Sequence, residues 1–278
     1  MSAPAEPSAG TLFALPAARR PRTIAIANQK GGVGKTTTAI NLATALAAIE
    51  KRVLLIDLDP QGNASTGLGI DRSARQHGTY DMLIDGLPLA DVVAPTEIPG
   101  LDIITSSMDL AGAEIELVAL EEREFRLRRA LEAATISHDY ILIDCPPSLG
   151  LLTLNALVAA DSVLVPMQCE FYALEGLSSL VRTIERVKRT FNPTVEIQGV
   201  VLTMFDKRNN LSNLVAADVR DHFGDKVFET VIPRNVRVSE APSHGKPVLI
   251  YDVRSPGAQA YIHLAGEVLK RERSLLAS

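Results

Sequence analysis

Apolar residues along this chain fall into short unbroken runs, and between the runs lie longer stretches in which they recur at helical spacing. The run Thr23-Ile24-Ala25-Ile26-Ala27, bounded by Arg22 and Asn28, has the continuity of a strand buried on both faces. Comparable runs predict strands at 52–57, 101–105, 139–144, 162–166, 197–204 and 227–232. Helical spacing predicts helices at 36–49, 108–134, 148–159, 171–191, 212–223 and 256–273. The alternation implies an α/β fold, a doubly wound and mostly parallel sheet with helices on both faces. No internal repeat or change of composition interrupts it, so residues 22–278 read as a single domain. Residues 1–21, rich in Ala and Pro with Arg19 and Arg20 near their end, read as a disordered tail.

With 278 residues, 46% of them hydrophobic, the chain is long enough to bury a large core. No apolar stretch approaches the roughly 20 residues of a membrane span, and residues 1–21 lack the cationic start and apolar centre of a signal peptide. The expected compartment is the cytoplasm. Cys145 and Cys169 are too few for a disulfide framework or a zinc site.

Candidate chemistry begins where the first strand meets the first helix. Lys30-Gly31-Gly32-Val33-Gly34-Lys35-Thr36-Thr37 is a glycine-rich turn ending at a helix N-terminus, where free N–H groups and the helix dipole favour an anion. The glycines allow backbone amides to converge on phosphate oxygens, Lys35 reaches the terminal phosphates, and the Thr36 hydroxyl is a ligand for Mg²⁺. This is a P-loop with one departure, since Gln29 stands where the usual pattern begins with glycine and Lys30 adds a second cation. Lys30 lies at the rim, within reach of its own nucleotide or that of a facing copy.

Two strand ends supply carboxylates. The run ending in Asp57-Leu58-Asp59-Pro60-Gln61-Gly62-Asn63 delivers Asp59 past the strand end, suited to orienting an attacking water and to touching Mg²⁺ through a water, with Asp57 as a structural acid. Tyr140-Ile141-Leu142-Ile143-Asp144 has the form of a Walker B strand, which makes Asp144 the metal-side acid. Pro146 and Pro147 force an extended exit, and Ser148 is placed to cap the following helix. Phosphoryl transfer to water asks for charge neutralisation and an oriented nucleophile, and these residues offer both.

A net charge of −5 repels nucleic acid overall, but its distribution is uneven. Residues 182–208 carry six Lys/Arg against three Asp/Glu and residues 234–254 carry four against two, a joint excess of +5 that leaves −10 elsewhere. Such patches bind a polyanion or simply form a solvated face.

The loop with its extra lysine, the Asp57–Asn63 segment, Asp144-Cys145-Pro146-Pro147-Ser148, and the stretch from Val231 to Pro247 resemble the ParA/Soj chromosome-partitioning ATPases, of the deviant Walker A group of P-loop NTPases. The resemblance spans about residues 22–270. It implies ATP with Mg²⁺, a sandwich homodimer formed on ATP binding in which Lys30 crosses to the partner's nucleotide, and non-specific binding of that dimer to double-stranded DNA on the nucleoid. A ParB-like centromere-binding partner would stimulate an otherwise slow hydrolysis and release the dimer. By the same resemblance Arg208 and Arg237 match DNA-binding arginines, with Lys207 and Lys246 as further phosphate contacts, and Pro233 and Asn235 match adenine-side residues. No Asn-Lys-x-Asp guanine signature occurs, in line with ATP.

Three other readings are open to the same residues. A MinD-like membrane ATPase needs a terminal basic amphipathic helix, for which residues 258–278 offer Tyr261, Ile262, Leu264, Val268 and Leu269 with Lys270, Arg271 and Arg273, and only Leu275 and Leu276 follow. That face reads better as core packing, because Glu267 and Glu272 interrupt its charge. An iron–sulfur reductase or carrier would need exposed cysteines, whereas Cys145 and Cys169 read as small core residues. A nucleotide-dependent binding module with negligible turnover overlaps the main reading.

Overall fold

A computed structural model describes residues 20–277, with side chains to 273. The expected tail of residues 1–21 therefore lies, up to residue 19, outside the described residues. The elements run β1 (Arg22–Ile26), α1 (Lys35–Ala47), β2 (Val53–Asp57), α2 (Asn63–Gly67), α3 (Leu89–Val92), β3 (Val93–Pro95), β4 (Leu101–Ile104), α4 (Leu110–Glu116), α5 (Arg126–Glu132), β5 (Tyr140–Asp144), α6 (Leu151–Ala159), β6 (Ser162–Gln168), α7 (Ala173–Thr190), β7 (Glu196–Phe205), α8 (Asn210–Phe223), β8 (Val227–Pro233), α9 (Val236–Glu240), α10 (Val248–Tyr251) and α11 (Pro256–Ala277).

The eight strands form one sheet in the order β3-β4-β2-β5-β1-β6-β7-β8. Every neighbouring pair is parallel except β3 with β4. Because side chains alternate along a strand, a continuous apolar run must be covered on both faces. In β2, Val53 and Leu55 pack under α1 and α11 with Leu42, Leu46, Tyr261 and Leu264. Leu54 and Ile56 enter the opposite core with Leu127, Leu152, Leu177 and Val215. The sheet thus carries two cores, and parallel strands with helical crossovers leave all their carboxyl ends on one edge.

Three expectations are corrected. The helix expected at 108–134 is broken: α4 passes into a tight turn at Leu117–Ala119, Glu122 takes φ of 50°, and α5 starts only at Arg126. Ser148 does not cap α6; that helix starts at Leu151 behind Gly150, and the Ser148 carbonyl instead accepts the Thr153 hydroxyl at 2.6 Å. The short elements α2, α3, α9, α10 and β3 have no counterpart in the apolar pattern, and β3 is antiparallel at the sheet edge and ends in Pro95.

The amphipathic face of α11 is spent on the core. Tyr261, Leu264 and Val268 are buried, and the Tyr261 hydroxyl lies 3.4 Å from that of Thr38. The side chains of Leu275 and Leu276 lie outside the described residues. Among the described residues no helix is long and apolar enough to cross a membrane. Leu264→Ala is expected to lower the unfolding free energy by about 3 kcal/mol in urea melts, as for other buried leucines; a loss below about 1 kcal/mol would remove α11 from the core.

Candidate active site

The glycine-rich loop follows β1, which lies between β5 and β6; from β1 the chain moves toward β2 on the β5 side, and after β5 it crosses to β6 on the other. A crevice opens at such a switch point beyond the strand ends. Gly32 and Gly34 take φ of 73° and 84°, a left-handed region where a side chain would be strained, and Gly34 is the N-cap residue of α1. Three anchors fix the loop. The Asn28 side chain donates to the Pro166 carbonyl at 2.8 Å and accepts the Lys30 N–H at 3.0 Å, while the Val33 carbonyl accepts the Thr203 hydroxyl at 2.8 Å. Beside it Met204, a non-glycine residue, holds φ of 50°, a strained conformation of the kind that collects at binding sites.

Lys35 is buried, and its ammonium donates to the Lys30 carbonyl at 3.1 Å, closing the loop around it. Burial pushes its pKa down, and the charges of Asp144 and Asp59 oppose that shift. Two carboxylates, Asp144 and Asp59, act on this cation from two strand ends, with Asp57 behind them. Asp57 and Asp144 are register partners on β2 and β5, and Asp59 follows two residues later.

Asp57 behaves as the structural acid expected. It is fully buried, and it accepts the Ser65 N–H at 2.8 Å, the Ser65 hydroxyl at 2.7 Å and the Asp59 N–H at 3.3 Å. Desolvation raises its pKa to about 6 against those bonds. Asp59 is buried but lightly held: its carboxylate accepts the N–H of Gln61 at 3.0 Å within its own turn.

Asp144 differs from both. Its two carboxylate oxygens are buried, and neither has a hydrogen-bond partner of normal geometry. Burial first, then the charge of Asp57, lifts its pKa well above the carboxylate range, and the nearby Thr36 hydroxyl and Lys35 pull it back. An orphaned buried carboxylate is costly unless something completes it. A divalent cation fits that position, with Thr36 and Asp144 as its protein neighbours. Among the described residues no cluster of three or more His, Cys, Asp or Glu side chains could hold a metal alone. A cation here would therefore draw its remaining ligands from phosphate and water, which is the habit of Mg²⁺.

Lys30 has a partner that the sequence gave no reason to suspect. Its ammonium pairs with the carboxylate of Glu170, just beyond β6, and both side chains are partly exposed at the rim. Phe171 and Tyr172, edge to face with centroids 5.1 Å apart, stand exposed beside that pair.

The basic residues sit at the carboxyl ends of the last two strands. Phe205 and Pro233 are register partners, and the Arg234 N–H donates to the Phe205 carbonyl at 3.1 Å, so the loops bearing Arg208 and Arg237 adjoin. Arg208 is 90% exposed and makes a forked pair with Asp206, while Arg237 is shared between Glu240 and Asp252. Lys207 and Lys246 are exposed. The Asn235 side-chain Oδ1 caps α9 by accepting the Val238 N–H at 3.3 Å, which is the turn-forming role, and Pro233 ends β8. Cys145 and Cys169 are both buried and free; burial raises the Cys145 thiol and pushes Cys169 up to about 11.

A family model described as an AAA domain matches residues 21–197. The chromosome partitioning protein ParA of Caulobacter vibrioides is 65% identical over 91% of this chain and 95% of its own length. The sporulation initiation inhibitor protein Soj of Bacillus subtilis is 58% identical over 89% of this chain and 98% of its own. Among solved structures, cobyrinic acid a,c-diamide synthase from Mycobacterium smegmatis with bound ADP and magnesium has 37% identity and a TM-score of 0.80, covering 91% of this chain and 96% of that one.

Proposed function

The chain belongs to the ParA/Soj family of chromosome-partitioning ATPases, and on that premise we propose that it is a nucleotide-gated DNA binder whose residues 22–278 act as one ATPase domain. The observation that carries the reading is the orphaned Asp144 carboxylate beside Thr36 and the buried Lys35, at the mouth of an amide-lined loop. Lys35 and the backbone amides of Gly31–Thr37 hold the phosphates of ATP, and Thr36 and Asp144 hold Mg²⁺, with Asp59 close enough to share it through water. Mg²⁺, when bound, neutralises phosphate charge. Asp59, buried and free of strong partners, orients the water that attacks the terminal phosphorus, and ADP and phosphate are the products.

Lys30 is loosely held at the rim, and we assign it to the nucleotide of a second copy, so that ATP binding and dimerisation become one event. The paired dimer presents Arg208 and Arg237, with Lys207 and Lys246, to double-stranded DNA phosphates without reading sequence. Their carboxylate partners are partly exposed, so the pairs are weak enough to exchange for phosphate. A ParB-like partner accelerates hydrolysis and ends the DNA-bound state, in the cytoplasm over the nucleoid. Pro233 and Asn235 remain candidates for the adenine side, with the Asn235 amide nitrogen left over from its cap. The synthase activity named for the mycobacterial protein comes with lower identity than the partitioning relatives and is not carried to this chain.

Gel shifts on unrelated DNA fragments with ATP, ADP and no nucleotide test the reading; retention with ATP alone and indifference to sequence are expected. Arg208→Glu should weaken that retention by roughly tenfold or more at moderate salt while ATP affinity stays unchanged, and wild-type binding should fall steeply as salt rises. Equal binding in all three nucleotide conditions, or binding that survives high salt, would overturn it.

A further inference from the structure

Arg75 lies where the sequence offers no periodicity and no motif, just after a single exposed turn at Arg72–Ala74. Its guanidinium is nevertheless engaged through all three nitrogens. Nε and Nη2 donate to the Ile70 carbonyl at 3.2 and 2.9 Å, Nη2 donates to the Thr66 hydroxyl at 2.8 Å, and Nη1 donates to the Ser106 carbonyl at 2.9 Å. These acceptors belong to two segments, α2 with its exit and the loop after β4. The turn Asp59–Gly62, closed by Gly62 N–H to the Asp59 carbonyl at 2.9 Å, lies against both.

Gly62 shows how tight the contact is. It takes φ of 64°, and a Cβ there would come within 2.4 Å of Arg75 Nη1 and 3.0 Å of the Ser106 carbonyl oxygen. From the other end, the Ser106 hydroxyl donates to the Asp59 carbonyl at 2.7 Å. The Ser106 N–H donates to Ser65 Oγ at 3.1 Å, and that hydroxyl donates on to Asp57. Among the described residues, the Asp59 carboxylate accepts one hydrogen bond, from the Gln61 N–H of the same turn. Its direction therefore follows the turn, and the turn follows Arg75 and Ser106.

We propose that Arg75 and Ser106 are positioning residues for Asp59, bracing the backbone of the Asp59–Gly62 turn so that the carboxylate meets the attacking water in one orientation. The inference rests on the hydrolytic role proposed above for Asp59. A lysine cannot replace Arg75, because one ammonium cannot span acceptors on two segments as the planar fork does. A turn displaced by about 1 Å would misalign the nucleophile, an error that costs about 100-fold in rate.

Single-turnover hydrolysis of ATP by the full chain, with ATP dissociation constants and melting temperatures measured in parallel, tests the brace. Arg75→Ala is expected to slow hydrolysis by roughly 100-fold and Ser106→Ala by roughly tenfold, with ATP affinity held within about threefold. Because Ser106→Ala removes one hydroxyl and keeps the carbonyl that Arg75 uses, it reports on the turn even if Arg75→Ala folds poorly. In an Asp59→Ala background, adding Ser106→Ala should change the residual rate no further. If Asp59→Ala hydrolyses at the wild-type rate, the role of Asp59 fails and takes the brace with it. If Asp59→Ala is inactive while Arg75→Ala and Ser106→Ala hydrolyse normally, the brace alone is wrong. Loss of ATP affinity in step with rate in both variants would also overturn it, since that is the mark of general support for the site.

Discussion

Lys35→Ala is expected to weaken ATP binding by about 100-fold or more, equivalent to about 2.7 kcal/mol. The size follows from where the ammonium sits. Lys35 is buried, and its desolvation is offset in the free chain by the Lys30 carbonyl and by the charges of Asp144 and Asp59. Phosphate oxygens would replace the carbonyl with charge-assisted bonds in a site shielded from water, where such bonds are strong. Removing the ammonium would also leave Asp59 and Asp144 beside the phosphates without the protein cation that acts on both, so repulsion adds to the lost attraction. Lys35→Met keeps most of the side-chain volume and should lose nearly as much affinity, which separates charge from packing. Titration with a fluorescent ATP analogue, with and without Mg²⁺, gives the number. A dissociation constant within about threefold of wild type would remove Lys35 from the phosphate site and with it the proposed nucleotide chemistry.

The parts of this site that the sequence makes legible are those set by strand geometry. A buried parallel strand must be a continuous apolar run, and the first polar residues after it must lie at the carboxyl edge of the sheet. That constraint puts Asp57, Asp59 and Asp144 near the loop before any coordinates are known, and the structure makes Asp57 and Asp144 register partners. Elements without such a constraint were lost. β3 is three residues long and ends in proline, and it exists because β4 offers it an open edge. The single helix expected at 108–134 fails at Glu122, whose left-handed backbone breaks a pattern that is apolar enough to look continuous. Arg75 and Glu170 were illegible for a different reason. Each acts through contacts 31 and 140 residues away in sequence, with Ser106 and Lys30, and nothing local marks either as more than a surface charge.

Lys30→Ala should separate two properties that Lys35→Ala removes together. In the free chain the Lys30 ammonium is tied to Glu170 at the rim and makes no contact with the carboxylates that surround Lys35. Its loss should therefore leave the ATP affinity of the single chain within about threefold, less than 0.7 kcal/mol. The pair with Glu170 is partly exposed, and pairs of that kind contribute about 0–1 kcal/mol, so little holds Lys30 back from a better partner. In the proposed dimer the terminal phosphate of a facing copy's nucleotide would be such a partner, because two sites closing on each other would exclude water and strengthen the contact. Without Lys30 each nucleotide would face the other subunit with uncompensated charge. Analytical ultracentrifugation with a non-hydrolysable ATP analogue should show wild-type dimers and Lys30→Ala monomers at equal nucleotide occupancy, and DNA retention should vanish with the dimer. Dimers of normal affinity in Lys30→Ala would confine the lysine to its own subunit, and the coupling between nucleotide and pairing would then have to come from the exposed Phe171 and Tyr172 beside it.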